Sequence, residues 1–172
     1  MTDVTTRLVA VGDAPSMAEL LRKNRAFLAP WDPIRPDDYY TADGQHAHIV
    51  EVLRQHEAGT TLPHVIVEDG RIVGRITVTN ITRGAFLSCN LGYWVAEDAN
   101  GRGVATAAVA RIARIALGEL GLHRIEAGTL PHNTGSQRVL ERNGFLRYGM
   151  APRYLRIAGE WQDHVLFQLL AE

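Results

Sequence analysis

The order of predicted strands and helices indicates an α/β (α+β) fold, with a mixed central sheet of about seven strands flanked by helices on both faces. Hydrophobic periodicity along the 172 residues gives β-α-α, then a meander of strands, then α-β-α-β-β. Strands and helices do not alternate strictly, so a doubly wound parallel sheet is not expected. The length fits one compact domain over residues 1–172.

The first third of the chain predicts one strand and two helices. Residues 7–11 read as a strand, and Asp13 is expected to cap a helix that has Pro15 in its first turn. Three prolines within residues 29–38 predict an irregular connection. The inward stripe of the first helix is expected to contain Met17, Leu20, Leu21, Asn24, Phe27 and Leu28. One face of the second helix is expected to carry His46, Ile49, Val50 and Leu53.

The remaining two thirds predict six strands and two helices. Residues 62–68 and 71–79 flank Asp69-Gly70, which is a strong hairpin signal. Residues 86–96, rich in aromatic and β-branched side chains, form the next strand. The other predicted elements are a long helix from Gly103 to Gly121, a strand over 123–130, a short helix over 133–143, and strands over 145–157 and 161–170.

Composition excludes several classes of protein. The formal net charge of -1 predicts no direct binding to nucleic acid or to anionic membranes. A single cysteine, Cys89, and the lack of a signal peptide or of an apolar run of bilayer length favour a cytoplasmic location. The seven histidines show no metal spacing; His46 and His48 have no cysteine or carboxylate cluster beside them, so no metal is expected.

One glycine-bearing loop predicts an anion site. Asn100-Gly101-Arg102-Gly103-Val104-Ala105 follows a strand and opens the long helix. The first four amides of a helix lack internal partners and carry partial positive charge, so they suit a pyrophosphate. Gly101 and Gly103 permit close approach, and Arg102 adds a cation. The spacing fits neither the dinucleotide nor the ATP loop, and a glycine turn alone is common at helix starts.

Further motifs carry a resemblance to a known family. The run Leu91-Gly92-Tyr93-Trp94-Val95, the loop at 100–105, and Asn133-Thr134-Gly135-Ser136 through Gly144-Phe145 resemble GNAT-superfamily acetyltransferases. Residues 27–31 and 154–166 are similar to the ribosomal-protein-alanine N-acetyltransferases (RimJ/RimL type). The resemblance implies a GNAT fold that is splayed between strands four and five, with acetyl-CoA as cofactor.

The resemblance also implies the cofactor-binding residues. The backbone of the fourth strand would hold the pantetheine arm, and the loop would wrap the pyrophosphate. Asn100 stands where the family usually has Arg or Gln. Asn133 would bind the cofactor arm, although an isolated Asn before a helix is more often a cap. The implied set is Trp94, Val95, Ala96, Asn100, Gly101, Arg102, Gly103, Val104, Ala105, Thr106, Asn133 and Ser136.

The resemblance leaves the catalytic groups partly open. The N–H of Val95 would polarise the thioester carbonyl. Several family members use a tyrosine as general acid, but the matching position here is Leu140. Ser136 would then donate to the sulfur, or it merely satisfies the first helical turn. Glu126 lies close to the position of a glutamate that related enzymes use as base, or it is an ordinary charged strand residue.

The expected acceptor is the N-terminal α-amine of a protein. An α-amine with a pKa of about 7.8 is roughly 15% neutral at pH 7, whereas a lysine is about 0.04% neutral, so an α-amine needs little help from a base. Candidate acceptor residues are Asn24, Trp31, Asp32, Tyr39, Tyr154 and Trp161. Two alternatives stay open: acetylation of a small amine such as a polyamine or aminoglycoside, and a non-catalytic acyl-CoA-binding module. A homodimer is compatible with the family.

Overall fold

The computed structural model describes residues 3–172, whose seven strands form a single mixed sheet. The sheet order is β1-β2-β3-β4-β5-β7-β6, and every neighbouring pair is antiparallel except the parallel pair β4 and β5. The predicted seven-stranded mixed sheet is confirmed. The strands are β1 (Val4–Leu8), β2 (Leu62–Glu68), β3 (Arg71–Thr82), β4 (Ser88–Val95), β5 (Arg124–Thr129), β6 (Leu146–Ile157) and β7 (Glu160–Leu170).

Helices cover both faces of the sheet, as predicted. The helices are α1 (Ala14–Lys23), α2 (Arg25–Leu28), α3 (Ala42–Glu57), α4 (Val104–Arg114, continued by a wider turn over Ile115–Glu119) and α5 (Thr134–Arg142). Met17 of α1 and Ile49 of α3 are fully buried against Val65 of β2. Ile112 of α4 and Leu140 of α5 belong to the larger core on the opposite face. No helix within residues 3–172 is long and apolar enough to cross a bilayer.

Strands β4 and β5 pair over only three residues. Ser88 faces Arg124, Cys89 faces Ile125, and Asn90 faces Glu126. Beyond that point β4 continues to Val95 and β5 to Thr129 without pairing to each other. The sheet therefore opens into a gap between the carboxyl ends of two central strands, as the family resemblance implies.

The N-terminal elements differ from the prediction. Strand β1 ends at Leu8, so the predicted strand at 7–11 begins three residues too late; β-branched Val4, Thr5 and Thr6 pair with β2 instead. Asp13 precedes α1 but does not cap it, because its carboxylate accepts from the Ala10 amide at 2.8 Å and binds Arg7 at 2.8 Å. The predicted continuous stripe is also interrupted, since α1 ends at Lys23 and α2 follows as a separate turn.

The buried face of α3 was predicted correctly at Ile49 and Leu53 and wrongly at His46 and Val50. Gln45 and Ile49 are buried, whereas His46 and Val50 are exposed. Gln45 is accommodated inside because its Nε2 donates to the Tyr39 carbonyl at 2.6 Å and its Oε1 accepts from Arg75 at 2.7 Å. A buried polar side chain with both groups satisfied is as acceptable as an apolar one, and apolar periodicity does not reveal it.

Candidate active site

A cleft of about 660 Å³ opens where β4 and β5 separate. It runs from the N-terminal ends of α4 and α5 to α2 on the far side of the sheet. Its lining comprises Phe27, Leu28, Trp31, Tyr93, Trp94, Val95, Ala99, Asn100, Gly101, Gly103, Val104, Ala105, Thr106, His132, Asn133, Thr134, Gly135, Ser136, Arg138, Val139 and Arg142. The structure thus places ten of the twelve expected cofactor residues in one cleft; Ala96 and Arg102 lie outside it.

The loop before α4 is shaped by two glycines in the left-handed region. Gly101 has φ 75° and Gly103 has φ 82°, values that side chains other than glycine adopt at a cost. A Cβ atom at either position would meet nothing within 4 Å, so conformation rather than crowding favours glycine here. The amides of Val104, Ala105 and Thr106 follow at the start of α4, where they lack helical acceptors.

Asn100 fastens this loop to the end of β4. Its Nδ2 donates to the Val95 carbonyl at 3.1 Å and to the Ala96 carbonyl at 3.2 Å. Asn24, an expected acceptor residue, instead braces the same segment from α1: its Oδ1 accepts from the Glu97 amide at 2.9 Å. Asn24 is buried and does not line the cleft.

The arginine in the loop is engaged elsewhere. Arg102 makes an ion pair of 2.6 Å with Glu68, whose side chain is only 5% exposed. Its charge is therefore largely neutralised on the β2 side of the loop. Two other cations, Arg138 and Arg142, lie one helical turn apart on α5 and line the cleft. Sequence reasoning missed them; their spacing of four on a helix that faces the loop was the available signal.

The amide of Val95 points into the gap. The Ala96 amide donates to the Val73 carbonyl at 2.8 Å, and hydrogen-bonded pairs alternate along an antiparallel ladder. Gly74 faces Val95 in this ladder, so the backbone groups of Val95 are directed away from β3. Ala96, in contrast, uses its amide within the sheet, and its carbonyl accepts from Asn100.

Tyr93 and Ser136 meet across the cleft. The Oη of Tyr93 lies 2.8 Å from the Oγ of Ser136 and 3.3 Å from the Ser136 carbonyl oxygen. Burial raises the pKa of Tyr93 to about 12, so the phenol is neutral at physiological pH. Leu140, the position where the family often carries a tyrosine, is fully buried in the core. The hydroxyl of Tyr93 was missed by the sequence analysis because strand periodicity predicts burial but not the partner.

Asn133 caps the helix that carries Ser136. Its Oδ1 accepts from the Ser136 amide at 3.2 Å, and both residues line the cleft. The cap orients the first turn of α5 toward the gap. It takes up the amide oxygen of Asn133 and leaves its Nδ2 group for another partner.

The expected acceptor residues do not form one group. Trp31 lines the cleft, with its ring centroid 5.2 Å from that of His132. Asp32 borders a neighbouring pocket of about 160 Å³, and burial raises the pKa of its carboxyl despite the nearby Arg35. Tyr39 lies outside the cleft, where its hydroxyl accepts from Arg75 at 3.0 Å.

Three further expected residues also lie outside the cleft lining. The ring of Tyr154 contacts that of His164 in a tilted arrangement, with centroids 5.6 Å apart, and Trp161 is 63% exposed on the β6–β7 hairpin. Glu126 lies on β5, 3.7 Å from Arg124 in an ion pair. Within residues 3–172 no three His, Cys, Asp or Glu side chains are grouped to hold a metal ion.

Comparison with known proteins agrees with this architecture. Residues 3–146 match the acetyltransferase (GNAT) domain family. A probable N-acetyltransferase of Bacillus subtilis, YjcK, is 38% identical over 97% of this chain and 93% of its own length. The ribosomal protein uS5-alanine N-acetyltransferase of Escherichia coli is 33% identical over 96% of this chain and 87% of its own.

A solved structure shows the same fold. Mycobacterium smegmatis RimJ, in complex with CoA-disulfide, is 36% identical and superposes with a TM-score of 0.94 over 98% of this chain and 82% of that protein. The family match and these relatives extend over the elements that build the cleft. The chain belongs to the GNAT acetyltransferase family.

Proposed function

We propose that this protein transfers the acetyl group of acetyl-CoA to the N-terminal α-amine of a polypeptide. The observation that carries the proposal is the cleft through the sheet, which joins a helix N-terminus on one side to an aromatic opening on the other. Acetyl-CoA enters from the side of α4, and the acceptor amine arrives from the side of α2. The two substrates meet beside Val95 for direct transfer.

The phosphate end of the cleft fits a CoA pyrophosphate. The free amides at the start of α4 and the two loop glycines offer donors without steric obstruction. Arg138 and Arg142 add positive charge on the opposite wall. Arg102 fixes the loop through its ion pair with Glu68 and does not contact phosphate.

The gap between β4 and β5 fits the pantetheine arm. The amide of Val95 is directed into that gap and donates to the thioester carbonyl, which gains negative charge as the amine attacks. The Nδ2 of Asn133 is available for the arm on the α5 side. Trp94 forms part of the cleft wall. Its amide faces Arg75 of β3 within the sheet, so it is not a donor to the arm.

Ser136 is the donor to the departing sulfur. When the Tyr93 hydroxyl donates to Ser136 Oγ, the serine proton points away from Tyr93 and can hydrogen-bond the departing thiolate. The carbon–sulfur bond breaks as the amide bond forms; water takes the proton that the nitrogen loses and supplies one to the thiolate, so the serine keeps its own proton. Tyr93 thus acts as a positioning residue from the strand, where related enzymes place a tyrosine on the helix.

The charges of the cleft favour an α-amine. Among the described residues that line it, none is Asp or Glu, whereas Arg138 and Arg142 are present. Arg138 and Arg142 belong to the phosphate end, so a polyamine or aminoglycoside would find no acidic side chain among these lining residues to pair with. The acceptor must therefore bind as a neutral amine, which at pH 7 is roughly 15% of an α-amine and about 0.04% of a lysine side chain.

An acceptor panel tests the proposal. The panel contains peptides beginning with Ala, because the Escherichia coli relative is named for an alanine of ribosomal protein uS5, and peptides beginning with Ser, a second small residue. It also contains spermidine, an aminoglycoside and a peptide blocked at its N-terminus. Thiol release is expected only with the free N-termini. Faster release with the small amines would contradict the proposal, and no release with any amine despite stabilisation by acetyl-CoA would indicate a non-catalytic binding module.

A further inference from the structure

Two glycines stand at matching positions just beyond the point where the central strands separate. Pairing of β4 with β5 ends at Asn90 and Glu126, and Gly92 and Gly128 stand two residues further along each strand. Side chains alternate between the faces of a sheet, so both glycines share the face of Asn90 and Glu126. That face is opposite the core packed on α4, and both glycines are exposed.

The fold itself does not require glycine at either position. Neither residue has a positive φ. A Cβ atom on Gly92 would meet nothing within 4 Å, and one on Gly128 would meet His164 at 3.5 Å, an ordinary contact. Glycine weakens a strand interior and typically marks a place where a ligand or another backbone comes close. Alanine is therefore sterically permitted at both positions. The presence of glycine at both needs an explanation other than the fold.

We propose that Gly92 and Gly128 form the floor of a channel, the glycine channel, that holds the acceptor polypeptide just behind its N-terminal amine. The inference rests on the proposed function and adds which part of the acceptor polypeptide the enzyme binds. Trp94, two residues beyond Gly92 on the same face of β4, lines the cleft, so the channel leads toward the cleft. Three strand residues span roughly 10 Å, which matches about three residues of extended peptide.

The surroundings of the glycine channel suit an uncharged peptide backbone. Glu126 is paired with Arg124, so the two charges largely cancel. Asn90 and Thr77, on the same face of β4 and β3, are neutral hydrogen-bonding side chains. Such groups recognise peptide amides, whereas a polycation would need unpaired carboxylates. A side chain at Gly92 would occupy the space of the peptide without blocking the reacting amine.

The test compares a long and a short acceptor. Gly92→Ala, Gly92→Val and Gly128→Ala are assayed with a hexapeptide that begins with alanine and with alaninamide, which has the amine but no following chain. Gly118→Ala is the matched control, because a Cβ there also meets nothing within 4 Å and the site lies on the far end of the α4 helix. Thermal unfolding verifies that each variant is folded.

Gly92→Val is expected to raise KM for the hexapeptide roughly tenfold, with KM values for alaninamide and acetyl-CoA unchanged; tenfold corresponds to the lower part of the overpacking range. The control is expected to match the wild type. An equal rise of KM for both acceptors, or an unchanged KM for both in a folded variant, would overturn the glycine channel. Wild-type turnover on the hexapeptide would still uphold the proposed function in that case. Absence of wild-type turnover on both acceptors would instead refute the proposed function, and the channel with it.

Discussion

The Oη of Tyr93 on β4 lies 2.8 Å from the Oγ of Ser136 on α5, although the two residues are 43 positions apart in the chain. This contact joins β4 to α5 at the wall of the cleft, which both residues line. In the proposed function it places a second hydroxyl beside the departing thiolate. Several members of the family carry a tyrosine on this helix, and the matching position here is the buried Leu140. The strand therefore supplies the phenol that the helix lacks.

Removal of the phenol hydroxyl is expected to slow the chemical step. Tyr93→Phe should lower kcat about tenfold, equivalent to about 1.4 kcal/mol, with KM for acetyl-CoA unchanged. Ser136→Ala should lower kcat at least as much, and the double variant should be no slower than Ser136→Ala, because Tyr93 acts through the serine. Steady-state kinetics of the three variants measure this; multiplicative losses would show that the two hydroxyls act independently.

Positive charge on α5 is expected to contribute to cofactor binding. Arg138→Ala should weaken acetyl-CoA binding by about 0.5–1 kcal/mol at low salt, since the guanidinium is exposed and its interaction with phosphate is screened. Calorimetric titrations at two ionic strengths measure the effect, which should shrink as salt increases. A loss that is independent of salt would point to a packing role instead.

Arg102 is expected to behave differently from Arg138. Its guanidinium neutralises the buried carboxylate of Glu68, one of whose oxygens, Oε1, has no hydrogen-bond partner. Arg102→Ala should therefore lower the free energy of unfolding by about 1–3 kcal/mol. Glu68→Gln combined with Arg102→Ala should restore part of that loss. Denaturant unfolding of both variants measures the free energy of unfolding. An Arg102→Ala protein that is as stable as the wild type but binds acetyl-CoA weakly would instead assign Arg102 to the phosphates.

The buried histidine His64 predicts a pH dependence of stability. Burial, followed by the electrostatic effect of the neighbouring His56 and Arg111, lowers its pKa to about 4, against about 6.5 when unfolded. The unfolded chain binds the extra proton, so the free energy of unfolding should fall as pH drops from about 6.5 to about 4, by at most about 1.4 kcal/mol per pH unit for this group.

Substitution of His64 isolates its contribution to the pH dependence of the free energy of unfolding. His64→Gln should flatten the slope of stability against pH in that window, although His48, whose pKa is also lowered to about 4, keeps part of it. The exposed His46→Gln variant is the control for removing one imidazole from the chain. Denaturant titrations between pH 4 and 8 measure the slopes. Equal slopes for His64→Gln and the wild type would contradict the assignment.

Local chemistry explains what the sequence predicts well. Asp69 and Gly70 adopt the positive φ values that the hairpin signal requires, and the strands on either side pair as expected. Gly101 and Gly103 likewise form the turn that exposes the first amides of α4. These features depend on a few adjacent residues, so a single sequence is enough to predict them.

Long-range contacts explain what the sequence does not predict. Tyr39 was expected near the acceptor, but Arg75, 36 positions away, holds its hydroxyl outside the cleft. Gln45 is buried because partners on other segments satisfy both of its amide groups. Neither contact leaves a trace in local periodicity, and the same is true of the Tyr93–Ser136 pair.

Competition between two amines in one peptide distinguishes acetylation of the α-amine from acetylation of a lysine side chain. A peptide with a free N-terminal alanine and one internal lysine is incubated with acetyl-CoA and the enzyme, and fragmentation mass spectrometry locates the acetyl group. Because no Asp or Glu stands among the described residues that line the cleft, we expect acetylation of the α-amine with the lysine left free. Acetyl transfer to the lysine side chain, or no transfer to this peptide at all, would contradict the account.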